Sequence, residues 1–556
     1  MFNKNLEHIN NEALKRRLSR LSPAESRSGI SYCVTPTNDY VLLKNEIPLD
    51  DLQDPRQAVK DMLKNNIKNE LTSNDIIINF GIGLGYLLDE TFNNYSAKIF
   101  IYEPDLNLLH FVLNNVDISE HLSSGRVYIS NDLDELINKL SEIFLTKDKV
   151  EIVYLKNYAV IRNKELLTLT QRVFDACKTK MIDINTITKF SKNWLLNTIN
   201  NIATINSSNM YLLSDLEDQF KGKTALIAGA GPSLADNIEY IKENRSKFVI
   251  FALNKNASYL YEQGVVPDFI CCLDAENMER TLAGLESFLP NINAIIDIRT
   301  DSSVFSKKFK NFFINFSETD FFIKKLAKFN KFMKFYETGG TASTFAMVSA
   351  IKMGFSRIIL AGIDLAFKDN IIYAYGEKMQ RASQESIVVD NITKQLIQVQ
   401  SVTGKMVYTR DDYKSYIQHF ETLIKDLNYN EVYNISSFGA MIKGVKNVSF
   451  GEINLESLSS INSFENLQPF RFELKDFIQE EFYNINNIIS MLSKGVFSLE
   501  LVSSVIKSNF IYQYIQADVL NVLQKNFDPE LAQNFVDNTK SAIKIVVEQL
   551  QKNKLI

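Results

Sequence analysis

Lys223-Thr-Ala-Leu-Ile-Ala-Gly-Ala-Gly-Pro-Ser-Leu234 decides the fold class of this 556-residue chain. Its mostly apolar first half reads as a buried strand, and Gly229-Ala-Gly-Pro-Ser233 then turns the chain and opens a helix. Glycines permit the tight turn and a close backbone approach, Pro232 suits the first helical position, and the free N–H groups of a first helical turn attract an anion. Reading outward, apolar runs predict further strands over 248–253, 269–273, 294–298 and 357–362, with helical stretches between them. Five strands interleaved with helices predict a parallel sheet covered on both faces.

A second turn of the same kind is Glu337-Thr-Gly-Gly-Thr-Ala-Ser343, which opens a predicted helix over 344–353 just before the strand at 357. Thr341 and Ser343 can add hydroxyl donors to the backbone N–H groups. Two helix N-termini in one sheet are therefore predicted to converge on one phosphate-bearing ligand, the alternative being ordinary capping of two unrelated helices.

The strand–glycine turn–helix–strand order also occurs earlier, in Asp75-Ile-Ile-Ile-Asn-Phe80, Gly81-Ile-Gly-Leu-Gly85 and Lys98-Ile-Phe-Ile-Tyr-Glu103. A glycine-rich turn with an acid at the end of the next strand describes an S-adenosylmethionine or dinucleotide site, or equally a Rossmann scaffold that holds no cofactor. The predicted organisation is α/β: a Rossmann-like domain over 1–160, a helical connector over 161–215, a central doubly wound domain over 216–455, and a helical domain over 456–556. The last is read from apolar residues recurring at helical spacing, as over 477–491 and 543–550.

Composition narrows the function. Lys plus Arg number 61 against 66 Asp plus Glu, a net charge of −5, which supplies no basic field for nucleic acid. Hydrophobic residues make up 45% and charged residues 23% of the chain, the balance of a folded globular protein. Four cysteines, Cys33, Cys177, Cys271 and Cys272, form neither a disulfide framework nor a four-ligand zinc pattern. No stretch approaches about 18 uninterrupted apolar residues and the amino-terminal segment lacks a signal-peptide core, so a cytoplasmic protein without membrane insertion is expected. Asp132-Leu-Asp134 reads as a helix cap with an acidic first turn rather than as a metal site. No P-loop motif occurs.

Taken together, the central residues resemble the motility-associated-factor (Maf) flagellin glycosyltransferases, which are related in their central domain to bacterial CMP-sialic acid transferases. The resemblance rests on Gly229–Leu234, Asn254 after the second strand, Pro267-Asp268 before the strand that leads to Asp274, the Thr338-Gly-Gly-Thr341 turn, Gly362-Ile-Asp-Leu-Ala-Phe367, and Asn434-Ile-Ser-Ser-Phe-Gly-Ala-Met-Ile-Lys-Gly444. It implies transfer of a nonulosonic acid, pseudaminic or legionaminic, from its CMP conjugate to Ser or Thr of flagellin, with inversion and without a metal or further cofactor. It also implies that the helical carboxyl end helps to hold the protein acceptor. Two alternatives are a pterin-type diphosphokinase using ATP, which resembles the same central domain, and a non-catalytic nucleotide-binding flagellar assembly factor.

Carried over by position, Gly229, Gly231, Pro232 and Ser233, with Thr338, Gly339, Gly340, Thr341 and Ser343, would hold the CMP phosphate and ribose. Asn254 and Asp274 would face the nucleotide or sugar, and Asp364 would close the crevice. The sialyltransferases place a tyrosine two residues after that aspartate to help the phosphate depart, whereas this chain has Ala366 there, so Tyr373 or Tyr375 is expected to supply the hydroxyl. An acceptor hydroxyl needs a base. His419, the only histidine of the central domain, is the candidate, with Asp274, Asp364 and Glu337 as competitors.

Smaller signals have plainer readings. Cys271 and Cys272 sit in an apolar strand as core residues. The phenylalanines of 305–335, alternating with lysines, read as aromatic core with snorkelling lysine stems. Arg410 and Lys443 could pair with a sugar carboxylate or form structural ion pairs.

Overall fold

The structure is a computed structural model and describes residues 1–23, 27, 29–145, 148–317, 320–368, 396–455, 464, 466–494, 497–524 and 529–556. The chain forms two compact units, Met1–Thr188 with Leu520–Asp528, and Lys189–Val519 with Pro529–Ile556.

In the first unit an antiparallel ribbon of β1 (Ile30–Val34), β2 (Tyr40–Lys44) and β3 (Ile47–Pro48) precedes a parallel sheet. That sheet comprises β4 (Ile76–Phe80), β5 (Lys98–Tyr102), β6 (Val127–Ser130) and β7 (Val150–Tyr154), in the order β6-β5-β4-β7. Every residue of β4 is buried, which is why its sequence is apolar on both faces instead of alternating, with the one polar residue, Asn79, donating to Thr91 Oγ1. The glycine turn follows β4 and leads into α1 (Tyr86–Asn94). One helix of 45 residues, α2 (Asn163–Ser207), then continues into the second unit.

The second unit is built on a nine-stranded, wholly parallel sheet. Its strands are β8 (Tyr211–Leu212), β9 (Thr224–Ala228), β10 (Val249–Leu253), β11 (Phe269–Cys272), β12 (Asn293–Asp297), β13 (Asn311–Asn315), β14 (Arg357–Ala361), β17 (Val432–Asn434) and β18 (Lys446–Asn447). A separate hairpin comprises β15 (Ile397–Gln400) and β16 (Met406–Thr409). The sheet order is β18-β17-β14-β9-β10-β11-β12-β13-β8. From β9 the chain runs outward through β10 to β13, and then returns to lay β14 on the other side of β9. The strand order therefore reverses between β9 and β14, the place where open α/β sheets leave a crevice at their carboxyl ends.

Three helices frame that crevice: α3 (Ser233–Glu243), α4 (Ala342–Lys352) and α5 (Asp411–Asp426). Phe345, Ala346, Met347 and Ala350 of α4 are wholly buried, as are Thr344 and Ser349, so this helix lies within the core. Cys271 and Cys272 are buried in β11, where burial pushes both thiols up from their ordinary pKa. The phenylalanine-rich segment contributes Phe309, Phe313, Phe316 and Phe322 to the buried set, and it contains β13.

The carboxyl end is helical, with α6 (Lys475–Leu492), α7 (Leu499–Lys507), α8 (Asn509–Tyr514) and α9 (Pro529–Lys552). Glu481 of α6 is fully buried and accepts from Asn509 N (2.8 Å), Asn509 Nδ2 (2.7 Å), Phe510 N (3.2 Å) and Ser508 Oγ (3.2 Å). Lys325 Nζ completes its partners at 3.0 Å, so the charge is paired and hydrogen-bonded as burial demands. Among the described residues no helix is long and apolar enough to cross a membrane.

Candidate functional site

A cavity of about 210 Å³ lies at the strand-order reversal. Its lining comes from the ends of β9 (Ala230, Gly231), β10 (Asn254, Lys255), β11 (Asp274) and β14 (Gly362 to Ala366), from the turn before α4 (Gly340 to Ser343), and from Tyr413 and Tyr416 of α5. The two glycine turns expected to converge do border one hollow.

Their amides differ in availability. In the first turn Gly229 N donates to Ala361 O (2.7 Å), Gly231 N to Gly362 O (2.8 Å) and Leu234 N to Gly231 O (3.0 Å). Ser233 N donates to Asp364 Oδ2 at 2.9 Å, and Ser233 Oγ accepts from Gly362 N. Ala230 thus carries the one N–H of this turn left without a partner among the described residues. The glycines serve a neighbouring backbone: a Cβ on Gly229 would stand 2.8 Å from the Gly362 carbonyl carbon, and one on Gly231 would stand 2.8 Å from Gly362 O. Gly229, Pro232 and Ser233 do not line the cavity. Asp364, 2% exposed, occupies the anion position at the start of α3. Burial pushes its pKa up from the ordinary carboxylate value, against the hydrogen bonds from Ser233 and Ser436.

The second turn is open. Thr341 caps α4 by accepting from Thr344 N at 3.1 Å, while Thr344 Oγ1 accepts from Thr341 N (3.1 Å) and donates to Thr338 O (2.7 Å). The N–H groups of Gly340, Ala342 and Ser343 make no hydrogen bond among the described residues. Gly339 and Gly340 have φ of +64° and +80°, which favours glycine at both. Helix α5 lies against them: a Cβ on Gly340 would be 3.2 Å from His419 Cε1, and one on Gly339 would meet Leu423. His419 therefore sits behind Gly340 and outside the cavity lining, and Thr338 and Gly339 build the turn without lining it.

Asn254, 1% exposed, donates from Nδ2 to Asp274 Oδ2 at 2.7 Å, and its Oδ1 is buried without a partner among the described residues. The loops beyond β11 and β12 are pinned by an asparagine ladder at helical spacing on α2. Asn193 reaches Glu276, Asn197 donates to Ala275 O (2.9 Å) and Arg299 O (3.0 Å), and Asn201 to Ile298 O (2.7 Å) and Thr300 O (2.8 Å). Asn256, fully buried, holds the first turn from below through Leu253 N (2.9 Å), Ala228 O (2.8 Å) and Gly229 O (2.8 Å).

Lys255, Tyr413 and Tyr416 line the cavity and were not singled out by sequence reasoning. Lys255 is exposed and forms no ion pair among the described residues. Its position directly after a parallel strand was a usable signal. For the two tyrosines no sequence signal existed, because only the packing of α5 on the α4 turn brings them there. Ala366 lines the same cavity, while Tyr373 and Tyr375 lie outside the described residues. Arg410 pairs with Asp412 (Nη2 to Oδ2, 2.8 Å), and Glu337 accepts from Ser317 Oγ at 3.4 Å away from the cavity lining. Asp132 caps its helix by accepting from Glu135 N at 3.1 Å, and Asp134 pairs with Arg172.

The amino-terminal glycine turn is filled by its own side chains. A Cβ on Gly81 would stand 3.0 Å from Tyr158 Cε1, and one on Gly83 would stand 2.8 Å from Leu155 Cδ1. Glu103, fully buried, is turned inward: Oε2 accepts from Ile82 N (3.1 Å), and Oε1 from Asp105 N (2.9 Å) and the Tyr158 hydroxyl. Burial pushes its pKa up to about 7 despite these donors. The acid that would face a ribose therefore binds the turn itself, and these residues do not fit a dinucleotide or S-adenosylmethionine.

A protein family described as 6-hydroxymethylpterin diphosphokinase MptE-like matches residues 196–370, the stretch carrying both turns of the cavity. No curated protein matches the chain. Among solved structures, a Maf glycosyltransferase from Magnetospirillum magneticum AMB-1 is similar at a TM-score of 0.69 and 16% identity, over 99% of this chain and 96% of that one. The resemblance read from the sequence thus extends to the fold: along nearly its whole length the chain is folded as that Maf glycosyltransferase is, around an MptE-like segment.

Proposed function

We propose that the chain is an inverting, metal-independent glycosyltransferase that moves a nonulosonic acid, pseudaminic or legionaminic, from its CMP conjugate to Ser or Thr hydroxyls of flagellin in the cytoplasm. The observation that carries this reading is the unengaged amide set of Gly340, Ala342 and Ser343, facing the same cavity as Lys255, at the strand-order reversal. Such donors suit the phosphate of a nucleotide sugar, whose charge grows as the glycosidic bond breaks, and fixed dipoles stabilise developing charge most effectively. Asn254 Oδ1 offers an acceptor for a ligand hydroxyl. Tyr413 and Tyr416 supply an aromatic wall for a base or sugar ring. The closeness of the His419 ring to Gly340 supports a role for it near the leaving phosphate. Whole-length likeness to a glycosyltransferase of known fold supports the same class.

The test is intact mass of flagellin co-expressed with this protein and a nonulosonate pathway. An increment of one nonulosonate per modified site is expected, and an unmodified mass would refute transfer. The MptE-like match favours a second reading, a diphosphokinase using ATP. Calorimetry separates the two, since the first requires CMP to bind more tightly than ATP and the second the reverse.

A further inference from the structure

Resting on the glycosyltransferase reading, we propose that Asp274, aimed by Asn254, is the base that takes the proton from the acceptor hydroxyl. Four side chains compete for that role, and the geometry separates them. Asp364 also lines the cavity, but it is 2% exposed, its Oδ1 is buried out of reach of an acceptor, and its Oδ2 is spent on the Ser233 N–H at the start of α3. Glu337 accepts from Ser317 and does not line the cavity, and His419 lies behind Gly340. Asp274 is half-buried and lines the cavity, with Oδ2 anchored by Asn254 Nδ2 at 2.7 Å. Its Oδ1 accepts no hydrogen bond among the described residues.

The carboxylate stands on a rigid support. Asp274 O accepts from Asp301 N at 3.0 Å, and the next carbonyl, Ala275 O, accepts from Asn197 Nδ2 at 2.9 Å. Asn254 is fixed by burial, and because a carboxylate only accepts, its amide must present Nδ2 to Asp274. One oxygen held and the other open is the arrangement a positioned base needs. In the step, the acceptor oxygen bonds to the anomeric carbon as the bond from that carbon to the phosphate oxygen breaks. The electron pair of the broken bond stays on the phosphate, held at Ala342, Ser343 and Lys255, and the hydroxyl proton passes to Asp274 Oδ1. The hydroxyl becomes acidic as it joins a carbon with oxocarbenium character, so its proton passes to the carboxylate as the new bond forms. Asn254 is a positioning residue.

The test uses the full chain, CMP-pseudaminic and CMP-legionaminic acid, and purified flagellin. Asp274→Ala should lower the transfer rate about a hundredfold or more, leave the CMP dissociation constant within about threefold, and regain activity with added formate, which does not stimulate the wild type. Asp274→Asn, nearly isosteric, should show the same loss with an unchanged melting temperature. Asn254→Ala, which removes a donor to the carboxylate, should move the acid limb of the kcat profile to higher pH. Transfer by Asp274→Ala near the wild-type rate, loss of CMP binding in step with transfer, or no rescue by formate would each overturn the assignment. Absence of transfer by the wild type would instead overturn the glycosyltransferase reading, and the assignment with it.

Discussion

Replacing Lys255 with alanine isolates the electrostatic part of the proposed phosphate seat from the stability of the fold. The side chain is exposed and makes no ion pair among the described residues, so Lys255→Ala should leave stability within about 0.5 kcal/mol of wild type. A charge-assisted hydrogen bond to phosphate contributes about 1.5–3 kcal/mol when sheltered. Discounted for solvent exposure, about 1–2 kcal/mol is expected here, a roughly five- to thirtyfold weaker CMP affinity. Calorimetric titration at about 0.1 M salt should show that loss, with Lys308→Ala, a second exposed lysine, as the unaffected control. At about 1 M salt, where the screening length falls to about 3 Å, the gap between wild type and variant should narrow. Equal CMP affinity of wild type and Lys255→Ala at low salt would refute the placement of the phosphate beside this residue.

Other perturbations follow from the same geometry. Gly340→Ala places a side chain at φ +80° and 3.2 Å from the His419 ring, and should cost about 1–2 kcal/mol, read as a melting point lower by a few degrees, with weakened CMP binding. Asn256→Ala strands one buried N–H and two carbonyls beneath the first turn, and should destabilise by about 2–4 kcal/mol in denaturant titrations. Glu103 has its pKa raised to about 7, above the roughly 4.3 of an unfolded glutamate, so the stability it contributes is present at low pH and is lost as pH rises through 7. Denaturation between pH 5 and 7 should show a slope of up to about 1.4 kcal/mol per pH unit from this group, flattening above pH 7. Glu103→Gln should remove that component, and an unchanged slope would show that Glu103 does not titrate there.

The sequence made the sheet legible wherever strands were long, apolar and followed by glycine turns, as at β4, β9 and β14. It hid β13, because Asn311-Phe-Phe-Ile-Asn315 sits in a run of phenylalanines and lysines with no clear period. The two-residue strands β8 and β18 and the three-residue β17 are too short to carry a pattern. Convergence of the two turns could be anticipated from topology alone, since helices that follow strands of one parallel sheet begin at the same edge. Which turn keeps its amides free could not. Gly229 and Gly231 have the composition of a phosphate loop, yet they are small to admit the backbone after β14, and Asp364 takes the helix start that a ligand would have used. Likewise Gly81 and Gly83 make room for Tyr158 and Leu155. A glycine turn records close approach, and only the folded neighbours reveal what approaches.

If Ala342 and Ser343 at the start of α4, with Lys255, seat the phosphate of a nucleotide, a crystal structure with CMP will show it there. Phosphate oxygens should lie about 2.9 Å from the Ala342 and Ser343 nitrogens, within reach of Lys255 Nζ, with the nucleoside in the cavity at the strand-order reversal. Nucleotide bound at the Gly81–Gly85 turn, or with its phosphate away from the start of α4, would contradict the account.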